Sequence, residues 1–308
     1  MTEAAVAEVS VQDPAAGPSD QERSLASDAW RALRRNPIFW VASVLIAIFL
    51  LMAIWPSLFT STDPREAILQ QSRERPNANA WFGRDIQGYD IYARCIYGAR
   101  ASILVGLFTT ILTVLIGGVI GMMSGYLGGF WDALMSRIGD IFFAIPLLLG
   151  AIIFLVSLPD FFNDNYFLVI MKVVLALAVL GWPSLARLMR SSVIQVKPND
   201  YVQAARALGA SPMRIIRSHV LPNSLAPLIV VSTISLGGYI AAEATLSFLG
   251  IGLQAPAISW GIDISAAIVG LRTTPHMLFF PSLFLSLAVL GFILLGDAVR
   301  DALDPKNR

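Results

Sequence analysis

The chain has 308 residues, of which 56% are hydrophobic and only 14% charged, and its formal net charge is +1. Uncharged runs of about 20 residues read as membrane-spanning helices, and a near-zero charge offers no electrostatic case for a nucleic-acid partner. The single cysteine, Cys95, excludes an internal disulfide and a cysteine metal cluster.

In chain order, residues 1–29 are polar, lack apolar periodicity and are expected to form a disordered cytoplasmic tail. No cleavable signal peptide is evident, because the first apolar run is too long for a signal-peptide core. Trp30 to Arg35 puts aromatic and cationic residues at a membrane edge, and residues 30–59 comprise this interfacial segment and a first span over 38–59. The arginines before that span argue for a cytoplasmic N-terminus. Residues 60–99 form an extracytoplasmic loop. Within it Ile86, Tyr89, Ala93 and Ile96 recur at helical spacing, with Asp90 and Arg94 as an i,i+4 pair, which predicts a short amphipathic outer helix.

Residues 100–298 hold five more spans. The second covers 101–127, where Gly117, Gly121 and Gly125 clear one face for close helix packing. A turn with Asp132 and Arg137 leads to a third span over 138–158, kinked at Pro146. Asn163 and Asp164 mark an outer turn. The fourth span covers 166–183, with Lys172 near its outer third, where its stem can snorkel. The fifth covers 225–248, with Glu243 near the outer interface. Trp260 and residues 262–269 suggest an interfacial or re-entrant helix. The sixth span covers 277–295, and residues 299–308 form a cytoplasmic tail closed by Arg300, Lys306 and Arg308. No internal repeat stands out.

Residues 184–223 then lie in the cytoplasm, where Arg187, Arg190, Lys197, Arg206, Arg214 and Arg217 face one acid, Asp200. Pro198 favours a helix start, and Tyr201, Val202, Ala205 and Leu208 form an apolar stripe ending at Gly209, a residue suited to closing a helix. Ser211 is a good N-cap and Pro212 a good first-turn residue for a second helix. Met213, Ile216 and Val220 give it a stripe, and Leu221-Pro222 is expected to stop it. Such a helix–Gly–helix element, apolar within a cationic rim, suits a groove on another protein. It equally suits a loop that packs on its own membrane helices.

Gln203-Ala204-Ala205, Gly209 four positions after Ala205, and Leu221-Pro222 resemble the Glu-Ala-Ala loop of ABC importer permeases, with Gln203 in place of the usual Glu and His219 near the end. Phe82-Gly83, Asp85, Gly88, Asp90, Arg94 and Gly98-Ala99-Arg100 are similar to a segment of dipeptide, oligopeptide and nickel importers. So is Glu243 to Gly252 followed by Ser259-Trp260-Gly261. The resemblance, to the C-type permease subunit, covers nearly the whole chain from Trp30. It implies an all-α, polytopic, type I importer-like fold of six transmembrane helices with a cytoplasmic helix–turn–helix coupling loop at 198–222.

The same resemblance implies one half of a pore for di- or oligopeptides in the plasma or inner membrane, with nickel complexes or haem as alternative cargo. Its partners would be a homologous permease subunit, cytoplasmic ATPases and an extracytoplasmic binding protein. ATP and Mg would be used by the ATPases, and this chain would hold no cofactor or metal and carry no catalytic residue. Gln203, Ala204, Ala205, Gly209, Ser211, Pro212, Arg214, Leu221 and Pro222 are the expected coupling residues. Asp85, Asp90, Arg94, Arg100, Glu243 and Trp260 are candidates for an outer gate or binding-protein dock. No Gly-rich Lys-Ser/Thr phosphate loop, His-Glu-x-x-His or Gly-x-Ser-x-Gly pattern occurs. The two histidines, His219 and His276, fall at helix ends. A proton-coupled secondary transporter would need a midplane relay that Lys172 and Glu243 do not form.

Overall fold

The computed structural model describes residues 25–158 and 165–303. Asn163, Asp164, Lys306 and Arg308 lie outside the described residues, as do residues 1–24 of the expected tail. Helix α1 (Leu25–Arg35) begins inside that expected tail. After it, the Asn36 side chain accepts from the Ile38 amide and Pro37 occupies the first turn, two start signals that open α2 (Pro37–Ile54). The span ends at Ile54 and not at residue 59, because Trp55 leaves the helix and residues 56–58 form a separate 3₁₀ turn. Its end is held from another helix: the Arg100 guanidinium donates to the Ala53 and Ile54 carbonyls at 2.7 and 3.2 Å.

The separate amphipathic outer helix does not exist. Residues 83–90 form a loop, with Gly83 and Gly88 at φ +76° and +85° and the Asp85 carboxylate accepting from the Gln87 and Tyr89 amides. Asp90 then caps one helix, α3 (Ile91–Leu127), through the Ala93 amide. At 37 residues, α3 is roughly 55 Å long. Ile86 and Tyr89 precede it, while Ala93 and Ile96 are buried in its first turns. Asp90 and Arg94 are likewise no pair, since Arg94 turns to Asp263.

The third span is broken and not merely kinked. Helix α4 (Gly129–Phe143) and helix α5 (Leu147–Ser157) meet at 88°. Pro146, at ψ 127°, is extended, so the helical ladder cannot continue through it. Asp132 and Arg137, expected in a turn, are inside α4. Pro183 has the opposite fate: α6 (Tyr166–Val196) runs through it for 31 residues, well past the expected end. Packed neighbours let a membrane helix absorb one missing hydrogen bond. Helices α9 (Leu221–Phe248) and α11 (His276–Leu303) likewise contain Pro227 and Pro281.

The glycine face of α3 packs as expected. A Cβ on Gly117 would stand 2.7 Å from the Trp182 carbonyl oxygen, and one on Gly125 would stand 2.9 Å from that of Arg190. Gly121 meets Ala186 and Met189 in between. Numbering rises together on both helices, so α3 and α6 run parallel. Gly106 meets Ile240 and Gly118 meets Leu228, which makes α9 antiparallel to them; Gly291 of α11 meets Ile46 of α2. Helix α10 (Trp260–Ala267) is tucked among α3, α9 and α11. Its Trp260 is fully buried, donates to the Cys95 carbonyl at 2.9 Å, and meets Phe49 edge-on. Five helices are long and apolar enough to cross a membrane, six if the broken pair is one span, and no strand occurs among the described residues.

Candidate functional site: the interhelical loop and the broken span

Between α6 and α9 the chain folds as a compact helical loop. Asn199 precedes α7 (Asp200–Ala207), and Gly209 follows at φ +80°. Its amide donates to the Arg206 carbonyl, and that of Ala210 to the Ala205 carbonyl. Ser211 caps α8 (Pro212–Ile215), with Pro212 at its start. Leu221-Pro222 does not stop the chain. A π-helical turn over Ile216–Val220 carries it directly into α9, so Pro222 lies within a continuous helical run and does not end it.

The two apolar stripes divide differently from the expected pattern. Val202, Ile215 and Val220 are buried against Met122, Leu185, Met189 and Val193, with Ala205 and Ile216 beside them. Tyr201, Leu208 and Met213 point away, and Leu208 is 88% exposed. Periodicity did not single out Ile215. Arg206, Arg214 and Arg217 are exposed on the same loop, as is Ala204.

The Gln203 amide donates to the Lys197 carbonyl at 2.9 Å, fastening α7 to the end of α6. Lys197 donates to the Tyr126 carbonyl at 2.8 Å, fastening α6 to the end of α3. A cation at a helix C-terminus is also favoured by the helix dipole. Behind the loop, Asp132 of α4 accepts both Nε and Nη2 of Arg190 and, at 2.5 Å, the Ser124 hydroxyl. Arg187 pairs with Asp140 at 3.1 Å and lies over the Phe143 ring. These pairs tie α4 to α6 and α3. They join residues roughly 50 apart in sequence, which no spacing rule connects. The break itself borders a cavity of about 450 Å³ shared with α6 and α9.

At the opposite end the six residues expected at an outer gate or dock serve the interior. Asp85 and Asp90 are buried where they shape the loop and cap α3, Arg100 holds the end of α2, and Trp260 is enclosed. Glu243, near the end of α9, is 0% exposed, with its carboxylate accepting from the Ser247 hydroxyl at 2.7 Å and facing Ser102 and Ser259. Arg94 pairs with Asp263, a residue the sequence did not single out, across 169 positions. Burial pushes the Asp263 carboxyl above its ordinary range, and the Arg94 guanidinium pulls it back. Phe82 stacks on Phe280 at 3.8 Å, anchoring the 60–90 loop on α11. Among the described residues, no three His, Cys, Asp or Glu side chains gather as a metal site requires.

The sequence matches the family described as binding-protein-dependent transport system inner membrane component over residues 117–308. The chain belongs to that transport-permease family. Residues 24–79 also match the N-terminal TM domain of oligopeptide transport permease C. The oligopeptide transport system permease protein OppC of Bacillus subtilis (strain 168) is 37% identical over 290 residues, covering 94% of this chain and 92% of that protein. The dipeptide transport system permease protein DppC of the same strain is 38% identical, covering 92% and 87%. The glutathione transport system permease protein GsiD of Escherichia coli O157:H7 is 35% identical, covering 93% and 92%. Among solved structures, the inward-facing MetNI methionine ABC transporter aligns with a TM-score of 0.53 at 22% identity, covering 68% of this permease and 96% of that chain. That likeness carries the fold alone, an all-α bundle of membrane-spanning helices.

Proposed function

We propose that the chain forms one half of the pore of an ATP-driven peptide importer and couples that pore to ATPase subunits through residues 200–222. The observation that carries this reading is a loop that exposes Tyr201, Leu208 and Met213 together with Arg206, Arg214 and Arg217, and is tied by Gln203 and Lys197 to the ends of α6 and α3. An exposed apolar knob on a short helix fits a groove in another protein, and its fastenings pass any push to two long helices. The permease relatives are named for oligopeptide and dipeptide systems, which supports peptides as cargo.

The loop end faces the cytoplasm in this reading. Arg187, Arg190, Lys197, Arg206, Arg214 and Arg217 lie at that end with Asp132, Asp140 and Asp200, a basic excess that fits the positive-inside rule. The start of α2 and the end of α11 share that side. The pore is completed by a homologous permease subunit, and a substrate-binding protein delivers cargo at the opposite end. ATP and Mg are handled by the ATPases, and the chain itself is non-catalytic. The buried Asp85, Asp90, Glu243 and Trp260 act under the outer surface as its frame, with exposed parts of residues 60–80 above them.

The test is reconstitution of the importer in vesicles with Gly209→Trp. Uptake and substrate-stimulated ATP hydrolysis uncouple, or the ATPases dissociate. Uptake driven by a proton gradient without any ATPase overturns the reading.

A further inference from the structure

The corner between α1 and α2 gathers aromatic and cationic side chains. Asn36 is extended between the two helices. The Trp40 indole donates back across the corner to the Arg34 carbonyl at 3.0 Å, pairing a group that the end of α1 would otherwise leave open. The Arg34 guanidinium lies over the Trp30 ring at 5.7 Å, and Trp30 meets Phe39 edge-on, as Phe39 meets Trp40. The corner is thus held in shape by its own contacts. Its charges and indoles nevertheless face outward: Trp30, Arg31, Arg34, Arg35 and Trp40 are all exposed. Residues 29–41 hold three arginines and no acid, and Asp28 is the one acid in α1.

Trp40 also heads a stripe. Val44, Ile48 and Leu51 follow it along α2 and are exposed, while Ala42, Ile46, Phe49 and Ala53 on the other side are buried. On an apolar span such a stripe meets acyl chains, and indoles favour the level where the chains meet their headgroups. The Trp40–Arg34 bond therefore fixes the cationic end of α1 at headgroup height above a lipid-facing stripe. A guanidinium at that height matches a phosphate with paired, charge-assisted hydrogen bonds.

We propose that this corner binds the headgroup of an acidic phospholipid, with Arg34 and Arg35, and Arg31 beside them, on its phosphate and the Trp40 stripe along its acyl chains. Interfacial anchoring alone would accept any lipid; the arginines add a preference for negative charge. The site stands whichever solute the permease carries.

The experiment uses the complete importer in vesicles of phosphatidylcholine and phosphatidylglycerol, with a fluorophore on Val41→Cys. Val41 is 61% exposed beside Trp40, and Cys95 is buried away from the reagent. Quenching by spin-labelled phosphatidylglycerol is compared with quenching by spin-labelled phosphatidylcholine at equal mole fraction, which reads the local enrichment of acidic lipid. Phosphatidylglycerol is enriched severalfold in the unmodified importer. Arg34→Gln with Arg35→Gln lowers that enrichment, by about fivefold at most for each charge removed, and Arg34→Lys with Arg35→Lys keeps most of it. Should the glutamine variant fail to assemble, high salt applied to the unmodified importer screens the same attraction and lowers the enrichment. Millimolar inorganic phosphate does not displace the lipid.

Equal quenching by the two lipids in the unmodified importer overturns the proposal; that is the result if Asp297 and Asp301 of α11, the helix on which α1 packs, neutralise the arginines. An enrichment that survives the glutamine pair or high salt overturns it too, as does one lost equally in the lysine pair. Displacement by free phosphate would mean an ion site and not a lipid site, and no quenching by either lipid would mean that protein covers this face.

Discussion

Gly117 and Gly118 are neighbours on one helix, and the same substitution at each isolates the packing of α3 against α6. Glycine to alanine in a helix gains about 0.8–1 kcal/mol of propensity at either position, so that contribution cancels in the comparison. At Gly117 the new methyl would stand 2.7 Å from the Trp182 carbonyl oxygen and 2.9 Å from the Ala186 nitrogen. Both are backbone atoms of α6, so no side chain can swing clear and the helices must separate. At Gly118 the nearest atom is the Leu228 Cδ2 at 3.6 Å, an ordinary contact. Overpacking of this kind costs about 1–3 kcal/mol. Gly117→Ala is therefore less stable than Gly118→Ala by that amount, a gap of roughly 2–12 °C in midpoint for a chain of this order of size. Thermal unfolding of the purified protein in detergent, followed by loss of monodisperse material, reads the gap. Equal midpoints, or a lower one for Gly118→Ala, refute the contact geometry of the two helices.

Other substitutions test the two ends. Arg94→Leu strands Asp263 in the interior and costs about 3–5 kcal/mol, whereas Arg94→Leu with Asp263→Leu recovers much of the loss because no lone charge remains; detergent melting compares the two. Asp132→Ala strips Arg190 of its bidentate partner at a half-exposed site, where water takes up part of the loss, and costs roughly 0.5–1.5 kcal/mol. The swap Asp132→Arg with Arg190→Asp regains thermal stability that either single change loses, and no regain would mean the pair is not the tie between α4 and α6. At Gly209, in left-handed backbone with open space around it, Asn is tolerated while Val carries a strain of about 1–2 kcal/mol. Peptide imported per ATP hydrolysed falls for Gly209→Val and stays near normal for Gly209→Asn.

Features set by local chemistry were legible in the sequence. The four-residue spacing of Gly117, Gly121 and Gly125 named the face of α3 that meets α6, and the Gly209-Ala210-Ser211-Pro212 run gave the turn of the loop. Local rules misled where tertiary contacts overrode them. Ile86, Tyr89, Ala93 and Ile96 keep helical spacing, yet the two positive-φ glycines and the Asp85 turn hold the chain out of helix until Asp90. Pro146 and Pro183 look alike in sequence. One breaks its helix by nearly a right angle, and the other is absorbed where α6 is buried against α3. The ties Arg94–Asp263, Arg190–Asp132 and Lys197–Tyr126 join partners 58 to 169 residues apart, and nothing in composition marks them.

The parallel contact of α3 and α6 has a mechanical consequence. Parallel helices held backbone to backbone at three successive glycines cannot slide past one another, because each glycine notch is filled by the partner's main chain. The pair behaves as a single stiff beam, with the Lys197 tie at one end and the Cys95–Trp260 bond at the other. For a rod of roughly 55 Å, a tilt of about 5° moves the far end by roughly 5 Å. A small rotation at the loop is thus delivered to the opposite end as a displacement wide enough to part side chains, without either helix bending.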